Sequence, residues 1–182
     1  MKLIDTAIEG CFILEPRLFN DDRGYFFESF NEAQFRNLTQ TDIHFVQDNQ
    51  SFSKFGVLRG LHAQNGDHAQ AKLVRVLQGE VLDVAVDARK GSATFGEHVS
   101  VLLSAGNQKQ FFVPKGFLHG FVVLSETAEF FYKCDNYYNK GAEVGIRYDD
   151  PTLNIDWSLS KDQISVSEKD LILPQFNDIF QR

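Results

Sequence analysis

Side chains capable of proton transfer and anion binding concentrate in a few short stretches of a chain otherwise rich in phenylalanine. Gln47-Asp48-Asn49-Gln50-Ser51 comes first, then Gly56-Val57-Leu58-Arg59-Gly60-Leu61-His62-Ala63-Gln64, then Lys72-Leu73-Val74-Arg75. Alternate side chains of an extended strand share a face, so Gln47 goes with Asn49 on one strand, and Lys72 with Val74 and Val76 on another. Amide, imidazole and ammonium groups turned into an apolar interior are unfavourable unless hydrogen bonds or a ligand satisfy them. That combination marks a binding site; the alternative is that Gln47 and Asn49 merely close a turn. A further stretch, Pro114-Lys115-Gly116-Phe117-Leu118-His119-Gly120-Phe121, makes a tight turn into a strand with His119 near its start. Histidine suits acid–base work near neutral pH, although a satisfied structural histidine is the plainer reading of His119.

The elements that must position these groups are short apolar runs broken by turn residues. Candidate strands cover 24–30, 43–51, 57–63, 72–77, 80–86, 97–103, 110–114, 117–124 and 128–134. Regular strands separated by turn signals predict an all-β sandwich or barrel. Gln78-Gly79 between two β-branched runs predicts a tight hairpin, and Ser104-Ala105-Gly106-Asn107 another turn. Helical signals are peripheral: Asn31 followed by Gln34 opens a helix towards Leu38, and Ser167 followed by Asp170 opens one cut short before Pro174. No repeat or linker divides residues 1–182, so one domain is expected, with a helical extension from about residue 160.

Composition narrows the functional classes. The 182 residues are 43% apolar and 24% charged, which is ordinary for a globular chain, and 18 Phe against 5 Tyr and 1 Trp favour strands around a large core. A formal charge of -7 argues against general binding to nucleic acid or anionic membranes, while leaving room for a local basic pocket. No apolar run approaches the ~20 residues of a membrane span, and Asp5 and Glu9 interrupt the stretch from Met1 to Leu14 that a signal peptide would need. Cys11 and Cys134 are read as buried thiols of a cytoplasmic protein, a single disulfide being the minor option.

Two of these stretches resemble the paired motifs of the cupin superfamily, G-x5-H-x-H-x(3,4)-E-x6-G and G-x5-P-x-G-x2-H-x3-N. Gly56 and His62 fit the start of the first, but its next ligand position is Gln64 and no acidic residue follows at the required spacing. Pro114, Gly116 and His119 fit the second. Two histidines without the companion His and Glu are a poor first shell for a divalent metal, so no metal is expected and His62 is left for proton chemistry.

A longer series of motifs occurs in order: Asp22 to Phe30, Val46 to Ser51, Val57 to His62, Lys72 to Val76, Asp83 to Asp87 and Pro114 to Phe121, then Tyr132-Lys133, Asn136-Tyr137-Tyr138 and Lys169-Asp170. Together they resemble the dTDP-4-dehydrorhamnose 3,5-epimerase family. The resemblance implies a cupin-type jelly roll with short peripheral helices, and cofactor-independent epimerisation at C3 and C5 of a dTDP-linked 4-keto-6-deoxy sugar. It implies His62 as base, Tyr132 as acid, Lys72 as the cation facing the enolate, and Asp170 as the imidazole's partner; Ser167 to Asp170 also fits a plain capping box. For substrate binding it implies Arg59 at the diphosphate, Arg23, Glu28, Gln47, Asp48 and Asn49 around the nucleotide, and His119 near the sugar. Glu143 falls at the pocket, Lys169 at its edge, and Tyr138 on the thymine ring. A homodimer is also implied. The family has Tyr or Phe after the catalytic His where this chain has Ala63, which would widen the pocket or be repacked. Three rivals keep the same scaffold: a 3-epimerase or ketoisomerase, a sugar-nucleotide-binding protein without catalysis, and a metal-dependent cupin oxygenase, which Gln64 disfavours.

Overall fold

The computed structural model describes residues 1–180. Its strands are β1 (Lys2–Asp5), β2 (Phe12–Glu15), β3 (Phe19–Asp21), β4 (Gly24–Phe26), β5 (Gln47–Lys54), β6 (Leu58–Gln64), β7 (Lys72–Gln78), β8 (Glu80–Asp87), β9 (His98–Ser104), β10 (Gln110–Val113), β11 (Phe117–Val123), β12 (Thr127–Cys134) and β13 (Glu143–Gly145). Three short helices, α1 (Glu32–Thr39), α2 (Glu168–Leu171) and α3 (Phe176–Ile179), lie outside them. A six-stranded sheet in the order β1-β2-β10-β7-β12-β5 faces a five-stranded sheet in the order β13-β6-β11-β8-β9, and β3-β4 form a separate ribbon. This is the all-β jelly roll with peripheral helices that the sequence pattern and the resemblance predict.

Apolar residues of both sheets meet in one core. Val74, Val76, Phe111 and Phe130 of the first sheet pack on Val81, Ala85, Phe117 and Phe121 of the second. The Phe121 and Phe130 rings stack with centroids 4.0 Å apart. Strand β11 is buried along its whole length because both its faces are covered: Leu118 and Val122 turn outward beneath Ile146, Leu153, Trp157 and Phe176 of the chain after β13. Helix α1 covers the outside of the other sheet, with Phe35 against Phe12 and Phe112. Its cap is the predicted one, Asn31 Oδ1 accepting from the Gln34 N–H at 3.1 Å.

The structure corrects several local expectations. Gln78-Gly79 is not a hairpin: β7 and β8 belong to different sheets, and the chain changes sheet at this corner. Gly79 is required there, since it has φ +78° and a Cβ would stand 2.0 Å from the Thr127 carbonyl oxygen. The strand expected over 24–30 ends at Phe26, and the one over 43–51 begins only at Gln47. β1, β2, β3, β13 and α3 were not anticipated; each is only three or four residues long, too short for periodicity to register.

One irregularity decides which side chains reach the interior. Along β11 the step from His119 to Phe121 is matched on β6 by the longer step from His62 to Arg59. The extra residue makes a β-bulge at Gly60-Leu61. Arg59 and His62, three apart, therefore both face inward, whereas Leu58 and Leu61 both face the outer cluster. Gly60 has φ +136°, and a Cβ on it would lie 2.5 Å from the Cα of Gly120 on the neighbouring strand. Gly60→Ala should lower stability by about 2–4 kcal/mol, because backbone has to move and a left-handed φ has to be held by a side-chain-bearing residue. Urea unfolding followed by circular dichroism measures it, and a loss below that of an ordinary surface substitution would contradict this account.

Candidate active site

At one end of the sandwich the two sheets part around a cavity of about 630 Å³. The six-stranded sheet supplies Asn49, Lys72, Phe130 and Tyr132 to its wall, and the five-stranded sheet Arg59, His62, His119 and Phe121. Ser165 to Asp170 close one side. This closing segment is tied to the start of β6: the Leu58 N–H donates to Ser165 O at 2.8 Å, and the Ser165 N–H to Gly56 O at 2.8 Å. Ser167 then caps α2, its Oγ accepting from the Asp170 N–H at 3.2 Å.

The cap leaves the Asp170 carboxylate for other work. Asp170 Oδ1 stands 2.7 Å from His62 Nε2. Asp170 is thus both the residue whose N–H meets the cap and the partner of the imidazole, so both readings of the Ser167–Asp170 motif hold. A carboxylate accepting from Nε2–H fixes the tautomer and leaves the other ring nitrogen with the lone pair a base needs. His119, directly opposite His62 in the β6–β11 register, is paired in the same way: its Nε2 lies 2.9 Å from Oδ1 of Asp83, a carboxylate with no solvent exposure.

The facing wall carries the cation and the phenol. Lys72 Nζ stands 5.7 Å from the centre of the Tyr132 ring. Burial pulls the Lys72 ammonium below its ordinary pKa, against the opposing influence of Cys134, Asp83 and Glu143. A desolvated cation of this kind gains most from an anion appearing beside it. Burial pushes the Tyr132 hydroxyl above the usual tyrosine value, which keeps its proton in place at neutral pH. Arg59 reaches the cavity from the bulge and is oriented by Nε donating to Ser53 Oγ at 3.1 Å. Asn49 donates to the Cys134 sulfur at 3.6 Å and accepts from Gln47 Nε2 at 3.1 Å. The cavity therefore brings together an imidazole held by a carboxylate on one wall, a phenol and a half-buried lysine on the facing wall, and a guanidinium.

Residues 5–178 match the family model described as dTDP-4-dehydrorhamnose 3,5-epimerase. The chain belongs to this epimerase family. Its relatives include the dTDP-4-dehydrorhamnose 3,5-epimerase of Salmonella typhimurium, 52% identical over 96% of this chain and 94% of that protein. The crystal structure of the enzyme of the same name from Elizabethkingia anophelis is 55% identical, has a TM-score of 0.95, and covers 100% of this chain and 99% of its own. That of a dTDP-6-deoxy-D-glucose-3,5-epimerase from Legionella pneumophila, in complex with dTDP-4-keto-L-rhamnose, is 50% identical with a TM-score of 0.94, covering 98% and 94%.

Not every residue that the epimerase resemblance names reaches this cavity. Arg23 and Glu28 lie on or beside the β3–β4 ribbon, exposed, Arg23 paired with Asp21 at 2.6 Å and Glu28 accepting from Asn31 and Gln34. Asp48 alternates with Gln47 and Asn49 and so faces outward, where it pairs with Lys133 at 2.9 Å. Tyr138, Glu143 and Lys169 form one rim network: the Tyr138 hydroxyl donates to Glu143 Oε2 at 2.7 Å, and Glu143 also pairs with Lys169, which lines the cavity. Burial opposes the Glu143 charge, but Lys169 and the Tyr138 hydroxyl outweigh it and hold the carboxyl below its ordinary range. Ala63 does not widen the pocket, because it packs in the outer cluster on the opposite face of β6 from His62.

Two features of this epimerase site escaped the sequence reading. Asp83 was visible only as part of an apolar run among the family motifs, and its role depends on the β8–β11 register that sets it opposite Phe121. Gln64 is buried with its oxygen accepting the Asn139 N–H at 2.9 Å. Among the described residues no three His, Cys, Asp or Glu side chains cluster closely enough to hold a metal ion. Cys134 is the buried thiol expected from the sequence, paired in register with Lys72, and burial raises it to about 11. The folded protein keeps this proton between the unfolded value near 9 and about 11, so the contribution to stability is complete below pH 9 and is lost as pH climbs through 11. Denaturation midpoints should fall across that window, and Cys134→Ala should fall less steeply; parallel curves would count against a buried, protonated thiol.

Proposed function

We propose that this chain inverts C3 and C5 of dTDP-4-dehydro-6-deoxy-D-glucose to give dTDP-4-dehydro-L-rhamnose. The observation that carries the mechanism is that His62, held by Asp170, and Tyr132 project from opposite sheets into one cavity. The C4 ketone acidifies the protons on C3 and C5. His62 takes each proton in turn, and the electron pair moves through the enolate to the C4 oxygen. Lys72 faces the charge that develops there, in a setting where burial makes its ammonium hungry for an anion. Tyr132 returns a proton to the opposite face of the ring, its neutral hydroxyl in the resting site suiting that role, and between the two inversions His62 releases its proton to solvent and Tyr132 takes one up. Arg59 holds the diphosphate, for which a guanidinium offers bidentate donors. Tyr138 covers the thymine at the rim with Gln47 and Glu143 beside it, His119 contacts the sugar, and Asn49 and Lys169 complete the walls.

Incubation in heavy water tests the reaction. The wild-type chain should place deuterium at both C3 and C5 of the product. A 3-epimerase would label one carbon, a ketoisomerase would move the carbonyl, and a binding protein would label none. His62→Ala should lower turnover by about 10²–10⁴-fold. Tyr132→Phe should still exchange a ring proton with solvent while completing few inversions; equal loss of exchange and inversion would take the acid role away from Tyr132.

The chain is further proposed to act as a homodimer that shares its binding sites. The β3–β4 ribbon exposes Phe19, Tyr25 and Phe26, each more than half accessible, an apolar surface that a second copy would cover. Arg23 and Glu28 sit on or beside this ribbon, away from their own chain's cavity, so their expected contact with nucleotide is met if each chain lends them to the other's site. A small nucleotide-sugar substrate and two buried free thiols also support a cytoplasmic setting. Mixing subunits tests the sharing. Arg23→Ala and His62→Ala chains, each nearly inactive alone at low substrate, should recover up to about a quarter of wild-type activity when unfolded and refolded together, since a mixed dimer contains one intact site. No recovery, with mixed dimers present, would overturn it.

A further inference from the structure

Gln64 stands where a metal-binding cupin has its second ligand, and the proton chemistry leaves it without a task. It closes β6 and is only 7% exposed. Its side-chain oxygen accepts the Asn139 N–H at 2.9 Å. From the other sheet, Gln47 at the start of β5 accepts the preceding N–H, that of Tyr138, at 3.1 Å. Two side-chain amides, one from each sheet, thus hold consecutive peptide groups of the segment between β12 and β13, which belongs to neither sheet. That segment carries the exposed Tyr138 ring, tethered at its far end by the hydroxyl bond to Glu143.

We propose that Gln64 is a positioning residue for the nucleotide: it fixes the backbone beneath Tyr138 so that the ring stands ready to cover the base. Gln64 makes no contact with the reacting carbons in this scheme and acts through Tyr138 alone, so the inference rests on the reading of Tyr138 as the base-covering ring. An aromatic ring stacks well only in a narrow range of positions, and a loop released from one of two anchors spends only part of its time in the binding-competent one. Apparent affinity falls by that fraction, while the chemistry of bound substrate is unchanged. The position that matches a metal ligand of other cupins would then serve substrate recognition through its amide oxygen, which accepts a hydrogen bond and carries no charge into a buried place.

Calorimetric titration with dTDP, together with steady-state kinetics, tests this. Gln64→Met matches the side chain in length without the acceptor, and Gln64→Asn keeps the amide but withdraws it by one methylene. Both should weaken dTDP about 5- to 20-fold and raise KM to a similar extent, with kcat within about threefold of wild type. A retained kcat also shows that the variants fold. In a Tyr138→Ala background, Gln64→Met should add no further loss of affinity, because the ring it positions is gone. A loss that adds fully to that of Tyr138→Ala, or a fall in kcat with dTDP affinity intact, would overturn the proposal. If Tyr138→Ala weakens dTDP and the Gln64 variants do not, the role of Gln64 fails and the reading of Tyr138 stands. If Tyr138→Ala binds dTDP as wild type does, both fall together.

Discussion

The hydrogen bond between His62 and Asp170 joins residues 108 positions apart in the chain, and much of the surrounding architecture serves to hold its two ends. One end depends on the β-bulge in β6, without which His62 and Arg59 would turn to different faces. The other depends on a four-residue helix, too short to be stable alone. That helix is held from outside. Its cap is Ser167, its lysine pairs with Glu143, and Arg147 donates to the Leu171 carbonyl at 3.0 Å while gripping Asp149. An imidazole held in this way has its tautomer set before any substrate arrives.

The cavity grades from dry to wet. Stacked Phe121 and Phe130 form an apolar floor, and Lys72 beside it lies in surroundings where charge–charge interactions are strong. Towards the opening stand the exposed Arg59 and Lys169, suited to a diphosphate that keeps part of its hydration. The excess negative charge of the whole chain is compatible with an anionic substrate because these cations are concentrated at one end of the sandwich.

Strand alternation made a good part of this legible. It grouped Gln47 with Asn49 and Lys72 with Val74, and the Asn31 and Ser167 caps located two helices. Tyr132 and Asp170 emerged only through resemblance to a family, because their importance lies in long-range placement and neither has a local signature. Asp83 was hidden for a related reason: it stands in an apolar run, and only the cross-strand register shows the histidine beside it. The bulge defeats periodicity outright, since a single added residue reverses the facing of everything beyond it. Gly79 deceived in the opposite direction, its local pattern being that of a hairpin although each flanking strand pairs within its own sheet. Ala63 shows why a departure from a family motif needs a face as well as a position: next to the base in sequence, it lies on the other side of the sheet.

Every strand of both sheets is complete by Gly145, yet the carboxylate that holds the His62 imidazole arrives with Asp170. On the ribosome, where the amino-terminal part of a chain emerges first, the strands that shape the cavity are therefore translated before the residue that prepares its imidazole. Assembly of the container and arming of its chemistry are separated in time. A chain interrupted late in its synthesis would possess most of a binding surface while lacking an oriented base.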